Sequence, residues 1–195
     1  MKKKELFGPL LMVGVLAVFG QAQQRERTQH QQQTEFSMEQ EIVPIKKALT
    51  PPEAALRTLE RQPAVSSCLE SENSSNGQLP ASWFVASEIH LAGPDESDLI
   101  VLPAELKAPV PMRPAPNACF IGPYTSKFWV LRKMGEGYQV VLSVDAHDVT
   151  LRPTRWRGYR DIETSISNLR GTTTTLYRFD GDKYRLFRQT TKPKG

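Results

Sequence analysis

Lys127-Phe128-Trp129-Val130-Leu131-Arg132-Lys133-Met134-Gly135-Glu136-Gly137-Tyr138-Gln139-Val140-Val141-Leu142-Ser143-Val144 is the stretch on which the fold turns. Two runs of β-branched, aromatic and leucine residues flank a glycine-bearing turn, which reads as a hairpin. A period of two puts Phe128, Val130 and Arg132 on one face, with Trp129, Leu131 and Lys133 on the other. Both faces carry apolar residues, so the strand is expected to be covered on both sides. A helix on one side and a second sheet or a partner on the other would supply that cover. Trp129, like Trp83, is accordingly read as core rather than as a binding platform.

The same period extends in both directions. Candidate strands are Trp83–Leu91, Leu99–Leu102, Lys127–Lys133, Tyr138–Val144, Val149–Arg152, Arg160–Ser167, Thr172–Phe179 and Lys183–Gln189. Asp180-Gly181 predicts a tight hairpin between the last two, because such turns need positive φ. The proline-rich segment from Lys107 to Pro116 reads as a loop or edge linker. The eight strands read as two copies of a four-strand unit. Asp98-Leu99-Ile100 opens one strand of the first copy, and Asp161-Ile162-Glu163 opens its counterpart in the second. Upstream, Thr50-Pro51-Pro52-Glu53 predicts a capping box, with Ala55, Leu56 and Leu59 on one face of the helix that follows. Pro63 would stop that helix, Val65, Cys68 and Leu69 would form a short second turn, and Glu70 to Leu79 would be a surface loop. The fold class is α+β: an N-terminal helix packed on about eight mostly antiparallel strands, as a sandwich or a curved sheet.

The runs Cys119-Phe120-Ile121-Gly122, Phe128-Trp129-Val130-Leu131-Arg132, Gly158-Tyr159-Arg160-Asp161-Ile162-Glu163-Thr164 and Tyr177-Arg178-Phe179-Asp180-Gly181-Asp182-Lys183-Tyr184 resemble a family of uncharacterised exported bacterial proteins. The Gly-Tyr-Arg-Asp units also resemble FG-GAP blades of β-propellers. The resemblance spans residues 65–188, and its motifs are structural. It implies export but no activity. A calcium-binding blade would need Asp-x-Asp-x-Asp-Gly where this chain has only Asp180-Gly181-Asp182.

The N-terminus gives the compartment. Lys2, Lys3 and Lys4 precede an apolar run from Leu6 to Phe19 and then Gly20-Gln21-Ala22, the pattern of a signal peptide over residues 1–22. About fourteen apolar residues are too few for a comfortable transmembrane helix. The protein is expected to be periplasmic or secreted, with no transmembrane segment after cleavage. Residues 23–40 are rich in Gln and read as a disordered spacer, leaving 41–192 as one globular domain. In an oxidising compartment the two cysteines, Cys68 and Cys119, favour a disulfide over two separately buried thiols.

Charge is unevenly divided. Residues 23–118 hold 8 basic and 13 acidic residues, whereas 119–195 hold 14 basic and 7 acidic, a net of +7. The basic half suits an anionic polysaccharide, a lipid headgroup or an envelope protein; nucleic acid fits neither the expected compartment nor the modest whole-chain charge of +4. The candidate ligand-binding residues are Arg155, Trp156, Arg157 and Arg160, in which guanidinium groups interleave with aromatic rings. These lie within Arg152–Arg160, read as a loop joining two strands.

No Gly-x-Ser-x-Gly elbow is present, and no motif implies a cofactor or a metal. Cys119 with His147 would be a thiol pair only without the disulfide. Asp161 and Glu163, two apart on one strand, would share a face and offer paired carboxylates. Asp95-Glu96-Ser97-Asp98 is the densest acidic run. The leading function is a non-enzymatic exported binding or envelope-associated domain. The alternative is a cell-wall polymer hydrolase or hydrolase inhibitor, which a pocket gathering His147, Asp161 and Glu163 would favour.

Overall fold

The computed structural model describes residues 32–71, 79–105 and 115–195. The signal peptide read at 1–22, the spacer up to residue 31, most of the loop read at 70–79 and most of the proline-rich segment lie outside the described residues. The chain divides into the units Met1–Gln32 and Gln33–Gly195, and the fold is that of the second.

The described residues form nine strands in two antiparallel sheets, making the fold mostly β. Strands β2 (Phe84–Ile89), β3 (Asp98–Pro103), β4 (Ser126–Met134) and β5 (Gly137–Ala146) form one sheet in chain order. The other has the order β1-β6-β7-β8-β9, from β1 (Glu35–Ser37), β6 (Asp148–Trp156), β7 (Tyr159–Asn168), β8 (Gly171–Phe179) and β9 (Tyr184–Pro193). Only His147 separates β5 from β6, so the chain changes sheet at a single corner.

Alternation sorts the side chains into two cores. Ile100, Leu102, Phe128 and Val130 of the four-stranded sheet meet Val149, Leu151, Ile162 and Phe179 of the five-stranded sheet. The opposite face of the four-stranded sheet, with Leu99, Val101, Trp129 and Leu131, packs on Ala55, Leu59, Val65 and Cys68. Those last residues belong to helices α1 (Glu53–Glu60) and α2 (Pro63–Ser71). Helices, four-stranded sheet and five-stranded sheet thus lie as three layers, which explains a β4 that is apolar on both faces.

One extra residue in β5 lets that strand serve both cores. Leu131 opposes Val140 and Val130 opposes Leu142, leaving Val141 as a bulge. The bulge shifts the parity, so Tyr138 and Val140 face the helices while Leu142, Val144 and Ala146 face the second sheet. The last hairpin repeats the device, with Tyr177 opposite Leu186 and Leu176 opposite Arg188, leaving Phe187 extra. Asp98 and Asp161 also hold matching places, each just before the β3 or β7 residue paired with the strand that follows.

Four local expectations are corrected. Residues 35–37, read as spacer, pair with β6 and bury Phe36 opposite Val149, because one aromatic outweighs its polar neighbours. The capping box is not formed: Pro52 is the N-cap, no side chain caps the helix, and Glu53 instead accepts a hydrogen bond from Arg57 one turn on. Pro63 begins α2 rather than merely ending α1, as its missing N–H is harmless at a first helical position. The Asp180-Gly181 turn spans residues 180–183, where Asp180 Oδ1 accepts the backbone N–H groups of Asp182 and Lys183, both at 2.9 Å.

Asp98, in β3, ties β4 and the segment that follows β2 together. Its carboxylate is fully buried and accepts the N–H of Leu91 at 3.2 Å and of Lys133 at 2.9 Å, one on each oxygen. Burial raises its pKa above the ordinary carboxylate value, against the pull of those two hydrogen bonds. Asp98→Asn would set an amide NH₂ against one of the N–H donors, and is expected to cost about 1–3 kcal/mol. Because the folded state holds this proton more tightly than the unfolded chain, the wild type gains stability as pH falls through the range from the raised value to the ordinary one. The gap between the two proteins should therefore widen on acidification, as read by urea unfolding at several pH values.

Candidate functional site

The four residues singled out from the sequence sit at one tip of the five-stranded sheet, on a hairpin rather than a loop. β6 runs to Trp156, β7 starts at Tyr159, and the turn is Arg157-Gly158 alone, with φ of 52° and 86°. Positive φ at both central residues is the geometry that suits strand twist in a two-residue hairpin. The register slips between Leu151 and Arg155, so residues 152–154 oppose Asp161 alone. Pro153 falls in that irregularity, where a missing donor costs no ladder bond.

Three of the four candidates use their guanidinium groups on the protein itself. Arg155 Nη1 donates to the carbonyls of Leu91, Ala92 and Gly158 at 3.1, 2.5 and 2.8 Å, clipping β6 to the segment that follows β2. Arg160 donates through Nε to Arg152 O at 3.0 Å and through Nη2 to Leu151 O at 2.8 Å. Burial, and then the neighbouring positive charge of Arg155, lower its pKa. Arg157 Nη1 donates to Asp180 O at 2.6 Å, joining the two hairpin tips. Trp156 is different: its ring is 46% exposed, and the Arg178 guanidinium lies over it at 5.1 Å.

Arg178 is the residue that the sequence reading missed. Its guanidinium also lies 3.6 Å from the centroid of Phe187, which is 52% exposed, so one cation is stacked by two half-open rings. Arg178 Nε stands 3.5 Å from Asp161 Oδ2, and that oxygen accepts from Thr154 Oγ1 at 2.9 Å. Asp161 is buried beneath this stack. Glu163, on the same face, stands 3.7 Å from Arg152 Nη1. The pairing of β9 with β8 brings Arg188 opposite Leu176, which itself opposes Glu163. The outer face of the five-stranded sheet therefore presents Trp156, Phe187, Arg152, Arg178 and Arg188 together. A clue was present in sequence: Leu186-Phe187 are adjacent apolar residues in an alternating strand, and only a bulge or exposure can accommodate both.

The residues that would have marked a hydrolase are not brought together. His147, at the sheet corner, has Nδ1 3.1 Å from Asp148 and Nε2 3.4 Å from Glu39. Asp161 is paired with Arg178 instead. A cavity of about 310 Å³ near the corner is lined by Glu35, Ser37, Asp148, Thr150, Glu163 and Ser165, among others, without His147 or Asp161. Burial pushes the Asp148 pKa up, but hydrogen bonds from Ser165 and Ser37, with His147 beside it, leave it below the ordinary value. Asp98 of the acidic run turns inward to its two amides, and Ser97 Oγ donates to Glu88 at 2.5 Å. Among the described residues no group of three or more His, Cys, Asp or Glu is placed to hold a metal ion. No described helix is long and apolar enough to cross a membrane.

No family model, no curated protein and no solved structure matches this chain.

Cys68 and Cys119 stand at disulfide distance, with Cα atoms 5.9 Å apart. The pair joins α2 to the 3₁₀ turn Ala118–Phe120, far in sequence from the Arg178 stack and on the helix side of the four-stranded sheet.

Proposed function

We propose that this chain is an exported binding domain that holds an anionic polysaccharide on the outer face of its five-stranded sheet. The observation that carries the reading is the stack of Arg178 between Trp156 and Phe187, both rings half open to solvent. Half-exposed rings offer flat apolar area for the faces of sugar rings, and Arg152, Arg178 and Arg188 offer donors for carboxylates. Asp161, held beneath Arg178, fixes the direction of that guanidinium, so little order would be lost on binding. Export rests on the N-terminal Lys2–Ala22 pattern, with the cysteine pair as weak support for an oxidising compartment. Arg155, Arg157 and Arg160 act in this reading as braces that hold the hairpin tip, not as ligand contacts.

Titration calorimetry with a linear polyuronate and with neutral dextran tests the assignment. The polyuronate should bind and dextran should not, with affinity falling as salt rises. Trp156→Ala/Phe187→Ala should weaken binding at least tenfold without lowering the melting temperature by more than a few degrees. Equal binding of both polymers, or none by either, would refute the proposal. Export itself is read by N-terminal sequencing of mature protein, which should begin at Gln23.

A further inference from the structure

A second concavity lies elsewhere, along β5. A groove of about 550 Å³ is lined by the seven consecutive residues from Tyr138 to Val144. Neighbouring residues of a strand point to opposite faces, so seven in a row can line one groove only where it runs along the strand's edge. That edge is open: β5 is the last strand of its sheet and pairs with β4 alone. Thr58 Oγ1 donates to Tyr138 O at 3.1 Å, which places the Tyr138 backbone groups on the side away from β4. The two-residue period puts those of Val140 on the same side. Thr58, Arg61 and Gln62 form one wall, and Tyr177, Lys183 and Tyr184 form the other.

We infer that this groove binds an extended, acid-bearing peptide segment of another protein, added as a further strand beside β5. The occupant follows from shape and charge. A row of backbone groups turned away from β4, of which Tyr138 O alone already has a partner in Thr58, suits an extended chain between the two walls, since that chain's own backbone can supply the other partners. Arg61 and Lys183, both exposed, are the only charged residues among the described ones that line the groove, and the Lys133 ammonium lies 4.6 Å from the Tyr138 ring centroid. Among the described residues no carboxylate lines the groove; Asp182, beside it, already accepts from Gln139 Nε2 at 2.6 Å, and Glu88 and Asp98 act on the Tyr138 hydroxyl from outside the lining. The walls are therefore net positive, and an incoming strand with alternate Glu or Asp residues would place carboxylates beside them. This inference is independent of the polysaccharide reading, since no residue lining the groove belongs to the Trp156–Arg178–Phe187 stack.

The test uses the whole mature protein and a fluorescent eight-residue peptide of alternating Glu and Val, with a Lys/Val peptide of the same length as control. Anisotropy should report binding of the Glu peptide and at least tenfold weaker binding of the Lys peptide. Hydrogen exchange should slow at the Tyr138 and Val140 amides when the Glu peptide is present. Val140→Pro removes one outward N–H and leaves the donors facing β4 in place, and should weaken binding at least tenfold. Arg61→Glu/Lys183→Glu lies on the surface and provides the second variant, with an equal or larger loss expected. No binding of the Glu peptide, binding unchanged in the charge-reversed variant, or protection that appears along β9 instead of β5 would each overturn the inference.

Discussion

Trp129→Ala is expected to lower the unfolding free energy by about 3–5 kcal/mol, enough to consume a large part of the stability of a domain this size. Trp129 is fully buried at the centre of the helix-facing core. The Phe84 and Phe120 rings meet it edge-on, with centroids at 5.6 and 5.3 Å, and these two rings also touch each other at 5.5 Å. Removing the indole would open a void bounded by a helix, a sheet and the 3₁₀ turn, three rigid elements that cannot all move in to fill it. Trp129→Phe separates the volume effect from the chemistry. The indole Nε1 is buried and has no hydrogen-bond partner among the described residues. A phenyl ring loses volume but also sheds that unpaired donor, so the net cost should stay below about 2 kcal/mol. Urea unfolding at fixed pH, with unchanged m values, reads both effects. A loss under about 1 kcal/mol for the alanine variant would mean that the helical layer is not packed as described.

How far the chain's pattern revealed this arrangement can be judged at individual residues. Phe128, Trp129, Val130 and Leu131 announced a strand covered on both sides, because alternation is a property of the backbone and survives any tertiary context. The parity shift at Val141 was not legible, since Val140-Val141-Leu142 reads equally well as part of a buried strand without a bulge. Phe36 was hidden by composition: a window dominated by Gln and Glu looks unable to bury anything, yet pairing with β6 needs only one inward side chain. The Arg157-Gly158 turn was missed because Arg rarely occupies positive φ, and Arg157 stays there with its side chain tied to the Asp180 carbonyl. The arginines between Arg152 and Arg160 drew attention by their density. The acceptors of Arg155, Arg157 and Arg160 are backbone carbonyls from segments as distant as Leu91, and carbonyls leave no mark in a sequence. Arg178 is the converse case. It sits in an ordinary alternating strand, and its two aromatic neighbours come from β6 and β9, so only the assembled sheet brings them together.

Reduction of the Cys68–Cys119 pair, or its replacement by two alanines, should lower stability by about 2–5 kcal/mol. The two residues are 51 apart in sequence, and the loop-entropy model assigns about 4 kcal/mol to a closure of that length. Native geometry adds a second reason. The pair anchors α2, which has Val65 and Cys68 buried, to the turn that delivers Phe120 to the aromatic cluster around Trp129. If loop entropy dominates, the loss should appear mainly as a change in unfolded-state freedom, and Cys68→Ala/Cys119→Ala should keep the wild-type near-ultraviolet circular dichroism. If anchoring matters as well, the same variant should lose part of the Trp129 signal while its sheets persist. Thermal melts with and without reductant distinguish the bridge from thiols that are merely adjacent: a wild-type melting temperature that ignores reductant under denaturing exchange would show that no bond closes the loop. The double-alanine variant should then match the reduced wild type to within about 1 kcal/mol, because alanine replaces the buried Cys68 sulfur with another small apolar group while Cys119 is exposed.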